Sequence, residues 1–188
     1  ALWLFHCWAT CSRLGLAVGA ALSTVLCFLV KVPTLYLGFP LLAIALQRWG
    51  WRFILRPSLW FYAIAVLAPT VLWYAHAADL FTETGLTFGI WNRYGYNKWD
   101  RGVLFTVDFY RQVGWRFFDS IYTPIGSIAV FFGLYSYAKE RRDWVLWGWL
   151  GGLVLYVLVV PEGNRKLHYY QLPFVPIGAL FAAQGVTW

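Results

Sequence analysis

The stretch that decides the fold is LGLAVGAALSTVLCFLV at residues 14–30, bounded by Arg13 and Lys31. It contains no charged residue. A helix of about 20 apolar residues, or somewhat fewer when it is tilted or buried among neighbours, crosses the hydrocarbon core of a bilayer. An uncharged run of this kind with a cation at each end predicts a transmembrane helix.

Five further apolar stretches are candidates for the same role. They cover residues 34–47, 58–80, 121–138, 144–160 and 172–184, and the first and last of these are short. Prolines border or interrupt several of them, at Pro33, Pro69 and Pro161. The sequence therefore predicts an all-α fold, a polytopic transmembrane helix bundle of about six spans that forms a single transmembrane domain over residues 1–188.

The composition excludes an ordinary soluble domain. Of 188 residues, 61% are hydrophobic and 12% are charged, whereas soluble domains average about 25% charged residues. The 13 Trp, 12 Tyr and 15 Phe suit a bilayer, which favours Trp and Tyr at its two interfaces. The three cysteines have no metal-type spacing and are interpreted as small hydrophobic residues, so no metal or cofactor is expected. A chain without Met that begins inside an apolar stretch is interpreted as a fragment of a larger protein.

Alternating the sides of the spans sorts the cations into two sets. One set lies in tight turns, which the positive-inside rule assigns to the cytoplasm; it consists of Arg13, Arg48, Arg52, Arg56, Lys139, Arg141 and Arg142. Lys31, Arg165, Lys166 and the long loop at residues 80–118 share the opposite, outer side. The outer face then carries more cations than orientation requires, which indicates an anionic ligand there.

The outer loop mixes aromatic, amide and cationic side chains, which suits stacking on a sugar ring and hydrogen bonding to its hydroxyls. Its candidate sugar- or acceptor-binding residues are Glu83, Trp91, Arg93, Lys98 and Trp99. The alternative is an interfacial loop whose aromatic residues anchor it among the headgroups.

Residues 106–118 of this loop predict an amphipathic helix that lies on the membrane surface. Thr106 is its expected N-cap, and Asp108 falls in the first turn. The predicted apolar face consists of Val107, Tyr110, Val113, Gly114 and Phe117.

Two groups of cations head short, proline-containing apolar segments on the outer side. Lys31 precedes Val32-Pro33, and Arg165, Lys166, His168 and Tyr169 precede Pro173. Such groups can hold the phosphate of a lipid. The alternatives are a lysine that snorkels to the interface and an ordinary interfacial basic loop. No nucleophile, phosphate-loop or zinc-protease motif is present.

Two stretches resemble the C-type membrane glycosyltransferases, and most of all the protein-mannosyltransferase and aminoarabinose-transferase group (glycosyltransferase family 39 and relatives). LCFLVKVPTLYLGFPLLA at residues 26–43 resembles the group's Leu-x-Lys-x-Pro corner and the short apolar segment after it. KLHYYQLPFVPIGAL at residues 166–180 resembles its late segment, in which a basic residue and Tyr precede Leu-Pro-x-x-Pro. Pro69 with Trp73-Tyr74 resembles a third feature, and the order agrees over most of the chain.

The resemblance implies an enzyme that transfers a sugar from a polyprenyl-phosphate donor to an acceptor at the outer face, in a multi-pass protein of the bacterial inner membrane. It implies that the acidic base lies in an upstream loop, so no catalytic residue is expected in residues 1–188, and that Lys31 and Lys166 bind the donor phosphate beside His168 and Tyr169. Expected partners are the lipid-linked sugar and the bilayer, with no nucleic acid. The alternative function is a lipid or polysaccharide transporter or flippase subunit, which also needs proline-broken spans.

Overall fold

The computed structural model describes residues 1–85, 97–140 and 144–187. All regular structure in these ranges is helical, with no strand, which confirms the all-α prediction. The chain divides into two compact units, residues 1–95 and 96–188. The prediction of one transmembrane domain over residues 1–188 stays a prediction.

In residues 1–85, the described part of the first unit, the chain forms four α-helices. They are α1 (Leu2–Cys11), α2 (Leu14–Val30), α3 (Gly38–Trp49) and α4 (Pro57–Thr84). A 3-10 turn, Val32–Leu37, leads from α2 into α3, and a second, Gly50–Leu55, leads from α3 into α4. The predicted span at residues 14–30 coincides with α2, whereas α1 was not predicted.

Polar contacts fix the direction of α2 and α4. The Thr24 and Tyr62 hydroxyls are 2.8 Å apart, and the Tyr74 hydroxyl donates to the Phe28 carbonyl at 2.8 Å. The later residue of α2, Phe28, pairs with the later residue of α4, Tyr74, so α2 and α4 run parallel. The C-terminal turn of α4 then extends past the end of α2, and Gly85 in the left-handed conformation caps it.

Length and composition make α4 able to cross a bilayer. Its 28 residues span about 42 Å, it continues through Pro69, and among its residues only Val66, Thr70 and Ala77 are buried. An exposed apolar stripe also runs along α2, formed by Leu14, Val18, Leu22, Leu26 and Val30. Apolar helices with so little buried surface differ from the core helices of soluble proteins, which are mostly buried.

Five α-helices occur in the described residues of the second unit, 97–140 and 144–187. They are α5 (Val107–Arg116), α6 (Thr123–Glu140), α7 (Trp144–Val159), α8 (Pro161–Lys166) and α9 (Phe174–Thr187). A π-turn, Phe117–Ile121, follows α5, and the chain bends by 103° between it and α6. In the described residues, one helix (α4), or two if this bent pair is one span, is long and apolar enough to cross a membrane. The helices α2, α7 and α9 are shorter and apolar.

Two glycines bring α6 and α9 into backbone contact. A Cβ on Gly133 would collide with the Phe181 carbonyl, and a Cβ on Gly185 would collide with the Ala129 carbonyl. Small residues at such crossings are typical of helices that pack inside membranes, where close backbone approach replaces the hydrophobic effect as the driving force.

A helix forms within the segment predicted to be amphipathic, with a different division of its faces, and its place on a membrane surface stays a prediction. The Thr106 hydroxyl caps α5 by accepting from the Phe109 amide, and Asp108 lies in the first turn. The predicted apolar face splits: Val113 is buried together with Phe109, whereas Val107 and Tyr110 are exposed. Apolar residues occur on two opposite sides of α5, and periodicity alone could not tell which side packs on the protein.

Candidate functional site

A polar cluster in the second unit joins α8 to α5. Arg165 donates to both carboxylate oxygens of Glu162, at 2.6 and 2.8 Å, and to Asp108 at 3.1 Å. The Lys166 ammonium lies 3.0 Å from Glu162. Only 7% of the Glu162 side chain and 26% of the Arg165 side chain are exposed, so this pair is largely shielded from water. We call these four residues the charge cluster.

Local sequence explains why α8 forms here. Pro161 occupies the first helical position, where its missing N–H costs nothing, and Glu162 in the first turn suits the helix dipole. Spacings of three and four residues then bring Arg165 and Lys166 to the same carboxylate. No helix was predicted from the sequence between the apolar stretches that end at residue 160 and begin at residue 172, and Glu162 was not considered.

The contacts of the cluster stabilise the charged forms of Glu162, Asp108 and Arg165. The hydrogen bond from Arg165, followed by that from Lys166, lowers the pKa of Glu162. A hydrogen bond from Gln112, followed by those from Arg165 and Arg111, lowers the pKa of Asp108. The hydrogen bond to Glu162 in turn raises the pKa of Arg165. The cluster is therefore a fixed arrangement of charges near neutral pH.

The buried residues Asn164 and Gln171 hold α8 in place through hydrogen bonds. The Asn164 backbone carbonyl accepts from Arg116 at 2.9 Å and from the Gln171 amide at 2.6 Å. The Asn164 side-chain amide donates to the Val160 carbonyl at 2.9 Å. Neither Asn164 nor Gln171 exposes any surface. These contacts tie the short helix α8 to α5 and to the 3-10 turn His168–Gln171, so the orientation of Arg165 and Lys166 is set by tertiary structure.

Positive charge exceeds negative charge at this site. Arg111 pairs with Asp108 at 3.1 Å, so the cluster and its two neighbouring arginines hold four cations, Arg111, Arg116, Arg165 and Lys166. They face two carboxylates, those of Asp108 and Glu162. The site therefore carries a surplus of two positive charges.

The predicted residues His168 and Tyr169 lie beside the cluster. His168 is exposed, and 51% of Tyr169 is exposed. The Tyr169 ring packs against Tyr170 at 5.0 Å, and Tyr170 stacks on Tyr156 at 6.3 Å. An aromatic platform thus lies at the edge of the cationic surface.

Lys98 and Trp99 also lie near α8. The Gly163 amide donates to the Lys98 carbonyl at 3.4 Å, and partial burial lowers the pKa of Lys98. Trp99 is 39% exposed. The structure therefore brings Lys98, Trp99, Arg165, Lys166 and His168 into one region of the second unit. Of the other three loop candidates, Trp91 and Arg93 fall outside the described residues, and Glu83 lies in the first unit.

The remaining two candidates, Lys31 and Glu83, belong to the first unit. Lys31 ends α2 in an extended conformation and is partly buried. The Thr34 hydroxyl donates to the Cys27 and Lys31 carbonyls, both at 2.7 Å, which fixes the turn after it. Glu83 is exposed in the last turn of α4, on the continuing helix that also carries His76 and Asp79.

In the part of the chain that the structure describes, no group of three His, Cys, Asp or Glu side chains could hold a metal ion. No family model, no curated protein and no solved structure matches this chain.

Proposed function

We propose that the chain is the membrane-embedded part of a glycosyltransferase that moves a sugar from a polyprenyl-phosphate donor to an acceptor. In this proposal the bundle has about six spans. The helices α4 and α6 cross the membrane, the shorter helices α2, α7 and α9 cross it as well, and α3 is the sixth span. Helices shorter than 20 residues can do so when they are tilted or surrounded by neighbours.

The observation that carries the proposal is a backbone pattern common to the two cationic motifs. In each motif the cation lies at the end of a helix, a 3-10 turn follows, and a short apolar helix continues. Lys31 precedes the turn Val32–Leu37 and α3, and Lys166 precedes the turn His168–Gln171 and α9. A cation held at a helix break, next to an apolar segment, suits the phosphate of a lipid that enters from the bilayer.

The chemistry of the leaving group explains what the cations would do. When the glycosidic bond breaks, the phosphate oxygen that leaves gains negative charge. A fixed cation near this oxygen stabilises the transition state more than the ground state, and that difference raises the rate. The charge cluster supplies fixed cations, and Trp99 and Tyr169 supply exposed rings on which a sugar can stack.

The test uses the protein expressed from its complete reading frame and reconstituted in nanodiscs. A panel of radiolabelled polyprenyl-phosphate sugars is supplied, and release of the lipid phosphate is followed for wild type, Lys31→Ala and Lys139→Ala. Loss of one fixed donor to a developing oxyanion costs about 100- to 1,000-fold in turnover, so we expect a fall of this size for Lys31→Ala. Lys139 is an exposed lysine at the end of α6, and its replacement should leave turnover unchanged.

Two results would count against the proposal. Equal turnover in wild type and Lys31→Ala would remove Lys31 from the donor site. No release from any donor, in protein that remains folded and supplied with cell-envelope acceptors, would contradict transferase activity and favour a transporter.

A further inference from the structure

Four arginines gather at one end of the first unit. Arg13 precedes α2, Arg48 lies in the last turn of α3, Arg52 lies in the turn Gly50–Leu55, and Arg56 precedes α4. We call them the arginine rim. Because α1 ends and α2 begins at this end of the unit, and α3 ends and α4 begins there too, the helix directions alone bring the four side chains together.

Two of these guanidinium groups are held in place. The Arg48 Nε donates to the Ala9 carbonyl near the end of α1, at 3.1 Å. The Arg56 guanidinium lies over the Trp49 ring, 4.9 Å from its centroid. Trp49 in turn packs against Trp8 at 6.5 Å, and the Trp60 indole donates to the Ile54 carbonyl at 2.7 Å. In the described residues, the η nitrogens of Arg48 make no hydrogen bond and remain available to an anion.

No carboxylate neutralises the arginine rim within the described part of this unit. Residues 1–85 contain only two acidic residues, Asp79 and Glu83. Both lie in the last turns of α4, and Asp79 is separated from Pro57 by about 33 Å of helix. Four like charges at one end of a small unit repel one another, so a bound anion would relieve the repulsion.

The same end exposes large apolar side chains between the arginines. Trp51 is 79% exposed and Leu55 is 80% exposed, both in the turn that carries Arg52. A free phosphate ion would neutralise the arginines and leave these side chains in water. A phospholipid covers both, because its headgroup carries the charge and its acyl chains cover Trp51 and Leu55. Trp beside Arg is typical of the interfacial zone, and basic groups between helices bind anionic headgroups.

We propose that the arginine rim is a binding surface for anionic phospholipid headgroups. The proposal stands independently of the sugar-transfer reaction. The phosphodiester accepts hydrogen bonds from Arg48 and Arg56, whose guanidinium groups are already oriented, and Arg13 and Arg52 add charge at the edge. Trp51 and Leu55 enter the acyl region below the headgroup.

The experiment measures lipid binding by native mass spectrometry of the purified protein in a neutral detergent. The probes are dioctanoyl phosphatidylglycerol and dioctanoyl phosphatidylcholine. The test variant is Arg13→Gln/Arg52→Gln, because both residues are exposed and neither side chain makes a hydrogen bond or ion pair within the described residues. The control Arg101→Gln/Lys139→Gln removes the same charge from exposed positions elsewhere. Each arginine near an anionic surface contributes about 1 kcal/mol, or about fivefold in affinity.

We expect wild type to prefer phosphatidylglycerol, and the test variant to bind it about 30-fold more weakly. The control should bind it as wild type does. The proposal is wrong if the test variant and wild type bind phosphatidylglycerol equally, or if the control loses as much affinity as the test variant. Equal binding of phosphatidylcholine by wild type would also overturn it, as would displacement of phosphatidylglycerol by inorganic phosphate at the same concentration.

Discussion

Replacing Gly133 by alanine puts a methyl group where α6 and α9 touch through their backbones. The new Cβ would collide with the Phe181 carbonyl and come within 3.1 Å of the Gly185 amide nitrogen. Neither atom belongs to a side chain that could rotate away, so the two helices must separate. Overpacking of this kind costs about 1–3 kcal/mol, and backbone atoms place the cost at the upper end.

A second effect has the opposite sign and can be measured separately. Alanine is favoured over glycine in a helix by about 1 kcal/mol. Gly151 in α7 provides the control, because a Cβ there meets no atom within 4 Å. We therefore expect Gly133→Ala to lower the free energy of unfolding by about 2 kcal/mol, and Gly151→Ala to raise it by up to about 1 kcal/mol.

The assay is reversible unfolding in mixed micelles of dodecyl maltoside and increasing sodium dodecyl sulfate, followed by tryptophan fluorescence. The two variants should move the midpoint in opposite directions. If Gly133→Ala were as stable as Gly151→Ala, the close approach of α6 and α9 would be refuted, and with it the packing of the second unit.

Three further predictions concern single contacts. Glu162→Gln leaves Arg165 and Lys166 without their shared carboxylate, and should cost about 1–3 kcal/mol in the unfolding assay, whereas Arg111→Gln, at an exposed pair, should cost less than about 1 kcal/mol. The pKa of Glu162 in the folded state lies below its ordinary value of 4.5. The stabilisation that Glu162 contributes is therefore complete above pH 4.5 and is lost as the pH falls through the lower folded pKa. The free energy of unfolding, measured from pH 7 to 3, should fall with pH in wild type and fall less in Glu162→Gln. Tyr62→Phe removes the hydrogen bond to Thr24 and should lower the free energy of unfolding by about 0.6 kcal/mol. Thr24→Val should lower it by the same amount, and the double variant should be no less stable than either single variant.

The sequence predicted α2 and α4 closely because charged residues, proline or glycine lie at their ends. Residues 14–30 end at Arg13 and Lys31, and α2 has these bounds. Residues 58–80 were predicted as one span through Pro69, and α4 covers Pro57–Thr84. Proline is tolerated inside such a helix when neighbouring groups compensate for the lost hydrogen bond. The start of α3 was predicted four residues early, because the chain continues from Pro33 as a 3-10 turn up to Leu37.

The charge cluster was only half predictable. Arg165 and Lys166 were selected as cations that bind a phosphate, but their carboxylate partner Glu162 was not considered. Its position three and four residues before them was a usable signal. The contact with Asp108 was not predictable in this way, because 57 residues separate it from Arg165. Tertiary structure also decides that Asn164 and Gln171 are buried, since nothing in the polar sequence around them marks a core position.

Because Arg165 also joins two helices, a test of this site must separate an effect on donor binding from an effect on folding. Arg165 holds α8 to α5 through Asp108, so its loss would disturb the fold and the proposed phosphate site together. Lys166 is 51% exposed at its side chain and contacts the same carboxylate at the edge of the cluster. Lys166→Ala therefore removes one unit of charge while Arg165 still joins the two helices. If donor phosphate binds here, Lys166→Ala should weaken donor binding and leave the unfolding free energy within about 1 kcal/mol of wild type. If Lys166→Ala instead lost stability in proportion to its loss of donor binding, the cluster would have a structural role, and other residues would have to bind the donor.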